Sequence, residues 1–208
     1  TWAYDNILVA SRSEIDQFRQ QFLQGNVTNG TFQIPSIIFK WPAQHPSTNS
    51  ELAPYVDYNN DGIYNPYDGD YPDIKGDQMA WWTFNDVANI KTETSSNPMG
   101  LEIHGSAYAY TCNDPSTILG KILQYTTFYH YEVFNKSQKN YNSCYLGMWT
   151  DFDLGNAADD LVGCNLNTNS FYAYNGDSLD EGGGGYGLCP PIQNVQFLNA
   201  PLAPINDG

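Results

Sequence analysis

The chain has 208 residues and a formal net charge of −15, with eight Lys and Arg against 23 Asp and Glu. So few cations cannot displace counterions from phosphate, which argues against nucleic-acid binding and against docking on an anionic membrane. Sixteen Tyr, ten Phe, 18 Gly and 12 Pro, with few helix-period stretches, point instead to a β-rich, loop-rich fold.

The first element is a helix. Ser11 is placed to cap it, Glu14 completes a capping box, Ile15, Phe18 and Phe22 recur on one face, and Gly25 ends it. Phe32 to Trp41 reads as extended, interrupted by Pro35 and closed by Pro42. Residues 43–78 read as a long ordered loop, which needs an internal staple.

Within that loop, Asp57, Asn59, Asp61, Asn65 and Asp68 fall at positions 1, 3, 5, 9 and 12, with Gly62 at position 6. This is the ligand spacing of an EF-hand-type calcium loop. Asp57, Asn59 and Asp61 would supply side-chain oxygens and Ile63 a main-chain carbonyl. Asn65 would act through water, and Asp68 would close the loop. No helix pattern flanks it, and Pro54, Pro66 and Pro72 lie around it, so the expectation is a calcium loop without EF-hand helices. The competing reading is an Asx-rich turn with no metal.

Strands follow: Met79 to Phe84, Leu101 to Cys112, Ile122 to Phe134, Cys144 to Asp151 and Ser170 to Tyr174. Turn residues at 135–138 and 142 suggest that the third and fourth are hairpin neighbours. Adjacent Trp81 and Trp82 must point to opposite faces. Glu102 with His104, and His130 with Glu132, read as the polar outer face of a sandwich, with an acid/base or metal cluster as the alternative. Gly182 to Gly185 is a flexible loop without the Lys or helix of a phosphate cradle.

A second acidic group, Asp151, Asp153, Asn156, Asp159 and Asp160, crowds one strand end. A second calcium would turn its self-repulsion into coordination, and a solvated acidic turn is the alternative. Asp151 and Asp153 as a glycosidase pair is a weaker reading, because it needs a raised carboxyl pKa and a set separation. Cys112, Cys144, Cys164 and Cys189 form no CxxC pair. An even count in an acidic, extracellular chain favours one or two disulfides, against buried free thiols. Asn26, Asn29 and Asn135 stand in Asn-x-Ser/Thr sequons.

The expected fold class is mainly β: an antiparallel β-sandwich or jelly roll with one N-terminal helix and long calcium-stabilised loops. One domain is expected over 1–208, comprising a helix and arm (1–42), a calcium loop (43–78) and a sandwich (79–208). No run of 18 apolar residues occurs, so no membrane-spanning helix is expected. The ends, Thr1-Trp2-Ala3 and Ile205-Asn206-Asp207-Gly208, read as those of a piece of a longer secreted protein.

Several segments resemble one family as a set. They are Ala53 to Pro66, Gly69-Asp70-Tyr71-Pro72 through Gln78, Trp149 to Asn156, Asp159 to Cys164, Tyr172 to Asp177, and Pro190-Pro191. The set resembles an extracellular region of large Bacteroidota proteins exported by the type IX secretion system. Asp177-Ser178-Leu179 resembles the short O-glycosylation sites of such proteins. The resemblance implies export to the cell surface or medium and carries no catalytic activity. The resulting expectation is a calcium-stabilised structural or adhesive module. It would bind other surface proteins or copies of itself, with Ca2+ as cofactor and no nucleic acid or membrane insertion. The alternative is a glycan-binding module of a secreted enzyme, or a glycoside hydrolase.

Overall fold

The computed structural model describes residues 6–199 apart from 49, 89, 91, 93, 94, 112, 113 and 115. The chain divides into two compact units, Thr1–Asn140 and Tyr141–Gly208. The fold is mainly β, and every described strand pair is antiparallel.

The first unit is built on a four-stranded sheet. Strand β1 (Leu8–Ser11) runs directly into helix α1 (Arg12–Leu23). The Ser11 hydroxyl and the Glu14 carboxylate close the expected capping box, and Ile15 and Phe18 on the inner face are fully buried. Each such burial is worth about 2–3 kcal/mol. Arg12 fastens the start of the helix to the next layer, donating to the carbonyls of Ile74 and Gly76.

A single helical turn, α2 (Ser36–Phe39), stands where an extended segment was expected. Pro35 begins this turn rather than interrupting a strand: its carbonyl accepts the N–H groups of Ile38 and Phe39, and Ile38 is driven into the core. Strands β2 (Tyr55–Val56) and β3 (Tyr71–Pro72) pair across the acidic loop. A 3-10 turn, Pro66–Asp68, lies inside it.

Strands β4 (Gln78–Asn85) and β5 (Leu101–Ala109) then pair along their length. Helix α3 (Ile118–Gln124) precedes β6 (Phe128–Asn135), which closes the sheet in the order β1-β4-β5-β6. The long strand expected from Ile122 is therefore half helix. Thr117 caps that helix through the Gly120 N–H, 3.0 Å away, and Ile118, Leu119, Ile122 and Leu123 recur at helical spacing. Three α-helical segments and one 3-10 turn are thus described where one helix was expected.

The core lies on the face of the sheet that carries Ala10, Met79 and Trp81. Its register places Trp81 opposite Ser106 and Thr83 opposite His104. The even residues of β5 therefore face inward. His104, only 4% exposed, packs against Trp81 and Phe134 and meets Glu102 at 3.1 Å. This corrects the expectation of a polar outer face on β5. On β6, His130 and Glu132 are exposed as expected. Trp82 takes the opposite face, against Gly105 and Tyr131.

The second unit holds β7 (Asp160–Asn165), β8 (Ser170–Asn175) and β11 (Gln193–Gln196) in the order β11-β8-β7. The short strands β9 (Leu179–Asp180) and β10 (Gly187–Leu188) pair across the glycine run. Residues 141–154 contain no strand, which corrects the expected Cys144 to Asp151 element. Alternation alone does not make a strand where the backbone forms no ladder with a neighbouring strand. Leu154 and Ala173 are this unit's buried apolar residues.

Candidate metal centre

The pairing of Val56 with Tyr71 closes residues 57–70 into a loop. That loop contains four carboxylates, Asp57, Asp61, Asp68 and Asp70, and no Lys, Arg or His. The first half folds on itself. Asp57 Oδ2 accepts the Gly62 N–H at 2.7 Å, and Asp57 Oδ1 accepts the Asp61 N–H at 3.3 Å. The same Asp61 N–H reaches Asn59 Oδ1 at 3.1 Å, and Asp61 Oδ1 takes the Ile63 N–H at 2.8 Å. Asn60 and Gly62 adopt left-handed φ of 59° and 76°, which lets the main chain turn this tightly.

The sequence-expected residues separate into two sets. Asp57, Asn59 and Asp61 share one set of main-chain donors, so their side-chain oxygens are gathered. Asn65 and Asp68 pair with each other at 2.6 Å, and Asn65 caps the 3-10 turn through the Tyr67 N–H. Ile63 is exposed, and Gln44 Nε2 binds the neighbouring Gly62 carbonyl at 2.6 Å.

The residue that organises the loop was not among those expected. Asp70 is fully buried, and its carboxylate accepts the Asn65 and Tyr58 N–H groups, each at 2.8 Å. Burial pushes its carboxyl above the usual range, the two main-chain bonds oppose this, and Asp57 and Asp61 add repulsion. Tyr55 and Tyr64 are pushed up by burial first; Asp57, Glu51, Asp70 and Asp61 add to the rise at Tyr55, and Asp70 alone at Tyr64. The Tyr64 hydroxyl donates to the Ile38 carbonyl at 2.6 Å.

The donor set fits a hard cation: side-chain oxygens only, gathered on a turn whose charge no cation of the loop offsets. Asp57, Asn59 and Asp61 would hold the ion. Among the described residues no three carboxylate, His or Cys side chains converge in ligand geometry.

In the second unit the expected residues also divide. Asp151 and Asp153 are exposed, and Asp153 contributes only its main-chain carbonyl, to Gln193 at 3.2 Å. The Asn156 N–H donates to Asp180 Oδ1 at 3.1 Å, and its side-chain oxygen accepts the Ala158 N–H at 3.3 Å. Asp180, 2% exposed, takes the Tyr186 N–H on its other oxygen at 2.8 Å. Asp159 and Asp160 each keep one buried oxygen without a donor, as does Asn175. Burial raises the Asp160 carboxyl, and Asp159 and Asp180 add to the rise. Asp180 plays the part in this unit that Asp70 plays in the first, and neither was singled out from sequence. The one local signal was a glycine beside the turn each controls, Gly69 and Gly155.

The cysteines correct a further expectation. Cys144, Cys164 and Cys189 are exposed free thiols, so no disulfide forms among the described residues. Cys112 lies outside them. No described helix is long and apolar enough to cross a membrane. No protein-family model, curated protein or solved structure matches the chain.

Proposed function

We propose that this chain is a calcium-stabilised extracellular module with a structural or adhesive role, a part of a secreted or surface protein of the Bacteroidota type IX class that its motifs resemble. The observation that carries the reading is the loop 57–70: four carboxylates, no cation, and the oxygens of Asp57, Asn59 and Asp61 drawn together on one turn. A calcium ion there removes the mutual repulsion and stiffens a segment that has little secondary structure of its own. The antiparallel sandwich or jelly roll expected from the sequence belongs to the same reading. Its support is that one face of the four-stranded sheet carries a continuous core while the other bears aromatic residues. The partners are copies of the same module or other surface proteins.

A second reading, a glycan-binding module, draws on Trp149 and Tyr145, which are 84% and 94% exposed. Trp81 does not serve it, since that indole is in the core. The hydrolase reading gains no support from the placement of Asp151 and Asp153, which are both exposed.

The test is metal content by native mass spectrometry, with melting curves in calcium and in chelator. Bound calcium and a higher melting temperature in calcium are expected, and Asp57→Ala with Asp61→Ala should remove one ion. A protein with no bound calcium and identical melting curves ends the calcium reading. Binding to a glycan array with Trp149→Ala sensitivity would favour the second reading.

A further inference from the structure

Three buried oxygens in the second unit meet no donor: Asp159 Oδ1, Asp160 Oδ1 and Asn175 Oδ1. They belong to one place in the fold. Asp160 opens β7, Asn175 closes β8, and the two are direct antiparallel partners. Partners of this kind project from the same face with Cβ atoms about 5 Å apart. The Gly176 N–H donates to the Asp159 carbonyl at 2.9 Å, so the residue before Asp160 is held beside the residue after Asn175.

Asn175 is the informative member. It is 7% exposed, and its Nδ2 is turned to the carbonyls of Asp177 and Leu179, each at 3.4 Å. Those two carbonyls decide the orientation of the amide. That leaves Oδ1, an acceptor, as the buried side-chain atom without a partner on the strand position opposite Asp160. Buried acceptors are almost always satisfied in folded proteins. Three on neighbouring positions, two of them carboxylate oxygens, make a place where a cation would find ligands that no described protein donor occupies.

We propose that Asp159, Asp160 and Asn175 form a divalent-cation site in the second unit, and that its ligand is calcium. The donors are all hard oxygens, with no nitrogen or sulfur to favour a transition metal. Two carboxylates and one amide make a weakly charged set, which places the dissociation constant on the order of 10⁻⁴ M. The site differs from the acidic cluster seen in the sequence: Asp151 and Asp153 are not part of it, and Asn175 comes from another strand. It stands whether or not the 57–68 loop binds metal.

The test uses the whole chain carrying Asp57→Ala and Asp61→Ala, which silences the loop and separates the two readings. Calcium chloride is titrated to about 10 mM by calorimetry, with magnesium chloride as a parallel arm and circular dichroism to check folding. One weak calcium equivalent is expected in this background, lost in Asp160→Asn. Asn175→Asp gives the sharper outcome, because adding a carboxylate should tighten calcium binding about tenfold. In a site without metal the same change adds only repulsion, lowering stability equally in calcium and in chelator. That result would overturn the proposal, as would a calcium equivalent that survives Asp160→Asn, or none at all in the loop-silenced protein. An equivalent that binds magnesium as tightly as calcium would also overturn the choice of ion.

Discussion

Trp82 sits against Gly105 so closely that a Cβ built on the glycine would stand 2.4 Å from indole Cε2. The two are register partners, and Tyr131 faces the same indole edge-on at 6.0 Å. Gly105 leaves a gap in the middle of a strand, and the indole fills it. Gly105→Ala should therefore destabilise the first unit by about 1–3 kcal/mol through overpacking. In a Trp82→Ala background the same change should be neutral or stabilising, since alanine suits a strand better than glycine. Denaturant melts of the four proteins give the coupling. Equal effects in both backgrounds would break the argument.

Asp70 holds two main-chain donors in a site that water does not reach. Asp70→Ala leaves both unsatisfied and should cost about 3 kcal/mol. Asp68→Ala, which loses one exposed contact, should cost well under 1 kcal/mol. Urea unfolding in chelator separates this structural effect from any metal effect. A similar loss for both variants would contradict the tie.

Tyr64 carries the alkaline limit of the loop. Its folded-state pKa is raised by burial and then by Asp70. Above the ordinary tyrosine value of about 10 the unfolded chain loses this proton while the folded one keeps it, so stability falls as pH rises. Tyr64→Phe should cost about 1 kcal/mol at neutral pH, through the lost bond to Ile38, yet flatten the decline above pH 10. Melting temperatures across that range, beside phenolate absorbance, check the sign. An unchanged slope would mean that other tyrosines set the limit.

The thiols give a direct chemical count. Cys144, Cys164 and Cys189 should react with an aromatic disulfide reagent in the native protein, releasing at least three equivalents without denaturant. Two or fewer would mean that a disulfide forms.

What was legible in the sequence was local. The Ser11–Glu14 box, with Ile15 and Phe18 behind it, announced α1, because a cap and a 3.6-residue period lie within one segment. Trp81 and Trp82 were correctly sent to opposite faces, since alternation needs no knowledge of the partner. The failures were matters of long-range pairing. His104 looked polar and outward, but register with Thr83 and packing on Trp81 turned it inward. Thr117 is an ordinary cap, but the alternating pattern from Ile122 through Tyr125, Tyr129 and Tyr131 drew the second half of its helix into a strand. In the acidic loop the near-neighbour set Asp57, Asn59 and Asp61 was found by spacing. The organising carboxylates, Asp70 and Asp180, act across gaps of 12 and 24 residues, on Tyr58 and Asn156. Asn175 fell in no metal-ligand spacing, because only strand pairing brings it to Asp160.

Asp70 and Asp180 grip the peptide backbone of Tyr58, Asn65, Asn156 and Tyr186, and every amino acid except proline offers the same hydrogen there. Those four bonds by themselves set no residue type, although Asn65 and Asn156 are also held by what their side chains accept from Tyr67 and Ala158. Gly155 is the exception that marks the rule's limit. At φ 71° even a methyl would fall 1.9 Å from Asp180 Oδ2, so the grip does dictate glycine at that neighbour.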